Sequence, residues 1–406
     1  MRLSYKIWLL GSLYLAQGIP YGFFTQALPV LLREQGLSLK AISATSILFL
    51  PWMLRFLWAP LVDHYGTRRL WLLPLQLATV IVALSLAGTD PLDELWPILA
   101  GLFVFNLICA TQDIATDGLA VNTLGPRERG LGNGIQVGGY RVGMILGGGL
   151  LLWISAMSGW EAMYFCMAGL LALAVLPVLF LREVPRPAAA TTVRPDWSAA
   201  FKRLGQPGML GFIGLIWIYK FGDTMGASPI GPFMHDMGIS KTDIALIKGA
   251  LGSTSSLVGA AAGGWLAWRI GRRSTLLAGG LLQTAALVLY ALFAAGLGGT
   301  ALLYAACIAE HVLGGIATVA LFTLMMDASD PEHAGTDYSL LACAVVLCQG
   351  LASFAGASVA DALGYVALFW TSVALSAIGC VVLVVAIDRG AGPERLARIW
   401  PRRGTT

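Results

Sequence analysis

Seven ionisable side chains lie inside long apolar runs of the 406-residue chain: Arg55, Asp113, Asp117, Arg141, Lys220, Asp223 and Glu310. A charge held in hydrocarbon is expensive, so such residues serve binding, proton transfer or paired packing. Three are cationic and four anionic, which leaves one carboxylate in excess. A carboxyl without a counterion in such surroundings can exchange a proton with each side of a membrane in turn. Asp113 and Asp117 are four residues apart and share one helix face. Asp113 lies about ten residues, ~15 Å, before the expected cytoplasmic end of its helix and Arg141 ~16 Å after the cytoplasmic start of the next, at 1.5 Å per residue. Equal depth on antiparallel neighbours predicts an Asp113–Arg141 pair. Lys220 and Asp223, three apart, can neutralise each other. His311, beside Glu310, reads as a packed histidine rather than a relay.

Other chemistries lack their residues. Lys220-Phe221-Gly222-Asp223 has lysine where an intramembrane aspartyl protease of GxGD type needs glycine. No HExxH helix and no G-x-S-x-G elbow occurs. Gly143 and Gly147 to Gly149 lie in a span without the lysine and hydroxyl of a phosphate loop, and small residues so spaced usually let helices approach closely. The six cysteines fall in apolar runs without metal-ligand spacing. The expectation is therefore no enzyme, no cofactor and no bound metal, with any energy drawn from a gradient or a partner.

The elements that position these charges follow from composition. Hydrophobic residues make up 57% of the chain and charged residues 12%, against about 25% charged in a soluble domain. A chain with so little charge must turn its outside to lipid. Twelve runs have spanning length: 7–32, 41–62, 70–88, 95–117, 131–155, 160–181, 208–233, 244–268, 274–295, 300–326, 338–360 and 366–387. Helices are expected, because lipid offers open backbone no hydrogen-bond partner. The first run is too long for a signal peptide, and no A-x-A-like site follows it. With both termini on one side, 19 of the 26 Lys and Arg fall on that side, so the termini are expected in the cytoplasm. The same bias explains the net charge of +4 without a nucleic-acid partner.

Residues 182–207 are polar and proline-rich. They read as a cytoplasmic linker between six-helix bundles at 1–181 and 208–388, with 389–406 as a basic cytoplasmic tail. The halves repeat: Gly36-Leu37-Ser38 with Ile42 recurs as Gly238-Ile239-Ser240 with Ile244, Gly66-Thr67-Arg68-Arg69 as Gly271-Arg272-Arg273, and Pro126 to Gly130 as Pro331 to Gly335. Parallel repeats of this kind place a substrate site near the midplane. Prolines 20, 29, 51, 229 and 232 interrupt runs 1, 2 and 7.

The loop Asp63-His64-Tyr65-Gly66-Thr67-Arg68-Arg69 resembles the signature of the major facilitator superfamily, with Ala59 and His64 departing from its usual glycine and base. Asp63 can pair with Arg68 or Arg69, so Asp63, Gly66, Arg68 and Arg69 are expected to latch the cytoplasmic face. A closer likeness runs through Thr111 to Asp117, Glu128-Arg129-Gly130, Gly139 to Met144, Tyr219 to Asp223, and Glu310 with Gly314-Gly315. These stretches resemble the AmpG-type permeases. Gly22 to Pro29 and Asp117 to Ala120 look most like the RhtX/FptX siderophore branch. The resemblance implies an all-α membrane protein of twelve helices in two parallel six-helix repeats. Helices 1, 4, 7 and 10 would line the cavity, adding Gln17, Tyr21 and Gln26 to the substrate and proton pathway. It also implies a monomeric inner-membrane transporter, expected to import a ferri-siderophore with protons and to stack it on Tyr14, Tyr21, Phe23, Phe24 and Trp217. Anhydro-muropeptide is the alternative cargo. Glu310 or Asp117 would carry the proton.

Overall fold

The computed structural model describes residues 1–34, 45–89, 95–183 and 198–400. Gly36-Leu37-Ser38 with Ile42, residues 184–197 of the linker and 401–406 of the tail lie outside the described residues. Among the described residues there is no strand, and the chain makes twelve helical passes. They are α1 (3–34), α2 (45–64), α3 (Arg68–Ala87), α4 (Leu95–Thr123), α5 (129–158), α6 (160–179), α7 (209–236), α8 (241–269), α9 (Arg272–Ala294), α10 (Gly299–Ala328), α11 (334–363) and α12 (365–388). Among the described residues, six helical stretches are long and apolar enough to cross a membrane; two of these, Arg129–Leu179 and Pro331–Asp388, each hold two passes that meet at a glycine. The chain is thus a multi-pass membrane protein.

Local sequence explains the interruptions. The α5–α6 and α11–α12 pairs turn at Gly159 (φ 86°) and Gly364 (φ 82°), a backbone region where a Cβ clashes. These glycines stand 205 residues apart, the spacing of the sequence repeat. Proline removes a helical N–H. Pro20 is followed by a π turn at Phe23–Ala27. α2 alternates 3-10 and α turns around Pro51 and Pro60. Pro229 separates Met209–Ala227 from Ile230–Asp236.

Two compact units are present. The first comprises 1–124, 138–200 and 331–343; the second comprises 125–137, 201–330 and 344–406. The core of the first packs Phe23, Phe24, Phe105, Met163, Tyr164 and Met167. That of the second packs Phe233, Tyr290, Leu303, Cys307 and Phe369, with the Phe233 and Phe369 rings 4.9 Å apart. Leu77, Ile81 and Leu84 on α3 and Ile378, Val381 and Val385 on α12 are exposed. Apolar residues on an outer face suit a helix bathed in lipid.

Glycines set the closest helix contacts. A Cβ on Gly143 of α5 would stand 2.7 Å from the Gly18 Cα of α1, and one on Gly22 would stand 2.6 Å from the Met144 Cα. In the second unit, a Cβ on Gly263 would stand 2.9 Å from the Ile316 Cα and one on Gly315 would stand 3.0 Å from the Gly259 Cα.

Candidate functional site

In the first unit, Arg55 of α2 is the hub. It forms an ion pair with Asp113 and another, at 3.4 Å, with Asp117. The Tyr14 hydroxyl donates to Asp117 Oδ1 at 3.0 Å, and Gln17 Nε2 donates to Thr116 Oγ1 at 2.9 Å. All six side chains are buried. The Asp113–Arg141 pair expected from depth is therefore replaced by Asp113–Arg55. Depth along a helix does not fix the direction a side chain faces, and the i,i+4 face of α4 turns both acids toward α2. Arg141 is half-buried and makes no hydrogen bond or ion pair among the described residues.

Beside this hub lies an aromatic group. The Tyr21 ring is 5.8 Å from Phe49, 6.2 Å from Trp52 and 5.4 Å from Tyr140. The Arg55 guanidinium lies 5.9 Å from the Trp52 ring centre. Gln26 is exposed.

In the second unit, Lys220 Nζ donates to Asp223 Oδ2 at 2.6 Å, and Gln283 Nε2 donates to the other oxygen of Asp223. Lys220 and Asp223 are buried, so the pair neutralises itself locally. Glu310 Oε2 lies 2.7 Å from His311 Nδ1, which is also 2.9 Å from the Cys307 carbonyl oxygen. The histidine is thus held between its own helix backbone and the carboxylate. Among the described residues, no group of His, Cys, Asp and Glu could hold a metal ion.

Two further clusters lie at helix ends. In the first unit, Asp63 Oδ1 accepts from Arg68 Nη2 at 2.5 Å and from the Gly335 N–H at 3.0 Å. Its Oδ2 accepts from the Thr336 N–H at 2.7 Å and from Thr336 Oγ1 at 2.6 Å. A carboxylate over the first N–H groups of α11 meets the positive end of the helix dipole. Of the two arginines expected to pair with Asp63, Arg68 does so. Arg69 instead donates its backbone N–H to Glu183 at 2.7 Å and its side chain to the Leu179 carbonyl at 3.0 Å. Gly66 turns the chain at φ 67°. Gly118 leaves room for the Arg68 guanidinium, whose central carbon a Cβ there would approach to 2.6 Å.

The second cluster lies in the other unit and was missed from sequence. Asp327, wholly buried at the end of α10, takes Arg129 Nη1 on Oδ1 at 2.7 Å and pairs with Arg272 through Oδ2. Arg272 also donates to the Pro126 carbonyl. In the sequence, Arg129 belongs to the Glu128-Arg129-Gly130 stretch and Arg272 to the repeated Gly271-Arg272-Arg273 loop, and neither is near Asp327. Aligning Gly66 with Gly271 sets Arg272 opposite Thr67 and Arg273 opposite Arg68, so the repeat does not point to the pairing of Arg272 with Asp327.

Comparison with known proteins follows this geometry. The Major Facilitator Superfamily profile matches residues 10–222 and again 212–401. An uncharacterised protein of Haemophilus influenzae is 30% identical over 386 residues, covering 90% of this chain and 91% of its own length. The anhydromuropeptide permease of Escherichia coli K12 is 29% identical over 387 residues, 91% of this chain and 77% of that protein. Among solved structures, the human organic anion transporter MFSD10 superposes with a TM-score of 0.74 at 15% identity, covering 94% of this chain and 100% of that chain. The proton:xylose symporter XylE superposes with a TM-score of 0.72 at 12% identity, covering 98% and 100%. These two show the fold alone.

The relatives overturn the siderophore reading, both the RhtX/FptX branch and the ferri-siderophore cargo. Similarity over nine-tenths of the chain leads to AmpG-type permeases, and the E. coli relative is named for anhydromuropeptides. The side chains agree. Tyr14 is buried on Asp117. Phe23 packs on Tyr164 at 5.6 Å and Phe24 on Phe105 at 6.0 Å, both inside the core. They offer no face to an aromatic ligand.

Proposed function

We propose that this chain, which belongs to the major facilitator superfamily, is an inner-membrane permease for anhydromuropeptides that works by alternating access with both termini cytoplasmic. The observation that carries the cargo is the 29% identity to the E. coli anhydromuropeptide permease over 91% of this chain. Gln17, Tyr21, Gln26, Asp113, Asp117, Arg141, Lys220, Asp223 and Glu310 form the proposed pathway. Asp63, Gly66, Arg68 and Arg69 form the proposed latch.

Coupling to protons is part of the proposal. Asp113 and Asp117 share Arg55, an excess of one carboxylate in that cluster. Glu310 faces His311 rather than a permanent cation. Either carboxyl can alternate between charged and neutral forms as its surroundings change. The test is uptake of radiolabelled anhydromuropeptide into spheroplasts with and without the protein, each with and without an uncoupler. Protein-dependent uptake abolished by the uncoupler supports the proposal. Full uncoupler-sensitive uptake by both Glu310→Gln and Asp117→Asn removes these residues as proton carriers.

A further inference from the structure

From sequence His311 reads as a packed histidine, but its neighbours in the second unit decide where its hydrogens lie. Nδ1 stands 2.9 Å from the Cys307 carbonyl oxygen and 2.7 Å from Glu310 Oε2. A carbonyl oxygen only accepts, so Nδ1 carries a hydrogen. The Cys307 thiol, 3.6 Å from Nδ1, gives its own hydrogen to the Ile247 carbonyl at 3.3 Å. Neutral His311 is therefore the tautomer with a bare Nε2, and Nε2 is the atom that can take a further proton.

Nε2 has both room and access. It makes no hydrogen bond among the described residues, and the side chain is 20% exposed. The ring lies over Gly252 of α8, where a Cβ would stand 2.6 Å from Nε2. On α8, Lys248 lies one turn before Gly252 but is turned to α7, its Nζ 3.5 Å from the place of a Cβ on Gly231. From α9 comes the phenol of Tyr290, packed in one core with Cys307. The neutral Gln283 of α9 shares the space over Gly314 with Glu310. A Cβ there would stand 3.3 Å from Gln283 Nε2 and 3.9 Å from Glu310 Oε1. Beyond Gln283, Asp223 and Lys220 neutralise each other. Among the described residues, Glu310 is thus the ionised group in contact with the imidazole.

We propose that Glu310 and His311 form one proton-binding unit, with the proton taken on imidazole Nε2 and the carboxylate as its counterion. The lone pair of Nε2 takes the proton and the ring becomes an imidazolium. Glu310 Oε2 then accepts a charge-assisted bond from Nδ1–H across the 2.7 Å already present. Loss of the proton from Nε2 restores the neutral ring without breaking its bond to the Cys307 carbonyl. This rests on the proton-coupled reading above, and it makes the pair, rather than the carboxyl alone, the carrier at this end of the pathway.

The test is nitrogen NMR of the full chain in lipid nanodiscs, with isotope-labelled histidine. The chain has four histidines, and the His311 signals are those lost in His311→Asn. Neutral His311 is expected to carry its hydrogen on Nδ1, and Nε2 should gain a proton as the pH falls. Glu310→Gln should lower the midpoint of that change by about one pH unit or more, because the imidazolium loses its counterion. A neutral ring with its hydrogen on Nε2, or a midpoint that stays or rises in Glu310→Gln, overturns the pair. Uptake of radiolabelled anhydromuropeptide into spheroplasts, with and without an uncoupler, judges the coupling separately. His311→Asn keeps an N–H near the place of Nδ1 but lacks Nε2, and it should lose uncoupler-sensitive uptake. Such uptake at the wild-type rate in His311→Asn overturns the pair as carrier. Uptake by the wild type that ignores the uncoupler removes proton coupling itself, while the NMR still decides whether the proton site exists.

Discussion

Substituting Arg55 by glutamine removes the one guanidinium that holds both Asp113 and Asp117. The side chains are 7%, 10% and 1% exposed, so water cannot replace it. Removing one partner of a buried pair costs about 3–5 kcal/mol, because the charge left behind is uncompensated. Here two carboxylates on one helix face are left behind, which places the loss toward the upper end. Protonation of one of them draws it toward the lower. The assay is reversible unfolding of the purified protein in mixed detergent micelles, followed by tryptophan fluorescence. Adding Asp117→Asn to Arg55→Gln should recover about 1–3 kcal/mol, since the second change relieves a repulsion that the first created. A loss below about 1 kcal/mol for Arg55→Gln, or strictly additive losses in the double variant, would refute Arg55 as the joint counterion.

Other outcomes follow from the same geometry. Gly143→Val should abolish folded protein in size-exclusion chromatography, because its Cβ would stand 2.7 Å from the Gly18 backbone; Gly149→Ala, with nothing within 4 Å of the new Cβ, should elute as wild type. Asp327→Asn strips the shared carboxylate from Arg129 and Arg272 and should lower unfolding stability by about 3–5 kcal/mol, with a smaller loss for Arg272→Gln, because Arg129 keeps its partner. Asp63→Asn should stop uptake while the protein still reaches the membrane, because Arg68 and the start of α11 lose the charge that ties them; normal uptake would show that the cluster is not a latch.

Much of the fold was legible because hydrophobic runs of spanning length have few alternatives in lipid. The twelve passes start and stop near the expected residues, and the glycine turns at 159 and 364 repeat the spacing seen in the loop motifs. The charged pairs were less legible. Hydropathy and rise per residue give depth but not azimuth, so Arg141 was matched to Asp113 when Arg55, equally apolar in its flanks, faced it. Asp63 with Arg68 is close in sequence and could be read; the partners Gly335 and Thr336 lie more than 270 residues away and could not. Tyr14 and Phe24 looked alike as candidates for stacking. The fold separates them, one hydrogen-bonded to Asp117 and the other packed on Phe49 and Phe105.

The most direct measurement is counterflow in proteoliposomes that contain only this protein and a high internal concentration of unlabelled anhydromuropeptide. Transient accumulation of labelled anhydromuropeptide, absent from protein-free vesicles and recovered chemically unchanged, is the predicted result. No accumulation by folded protein would contradict the assigned cargo, and recovery of an altered compound would contradict the assignment as a transporter.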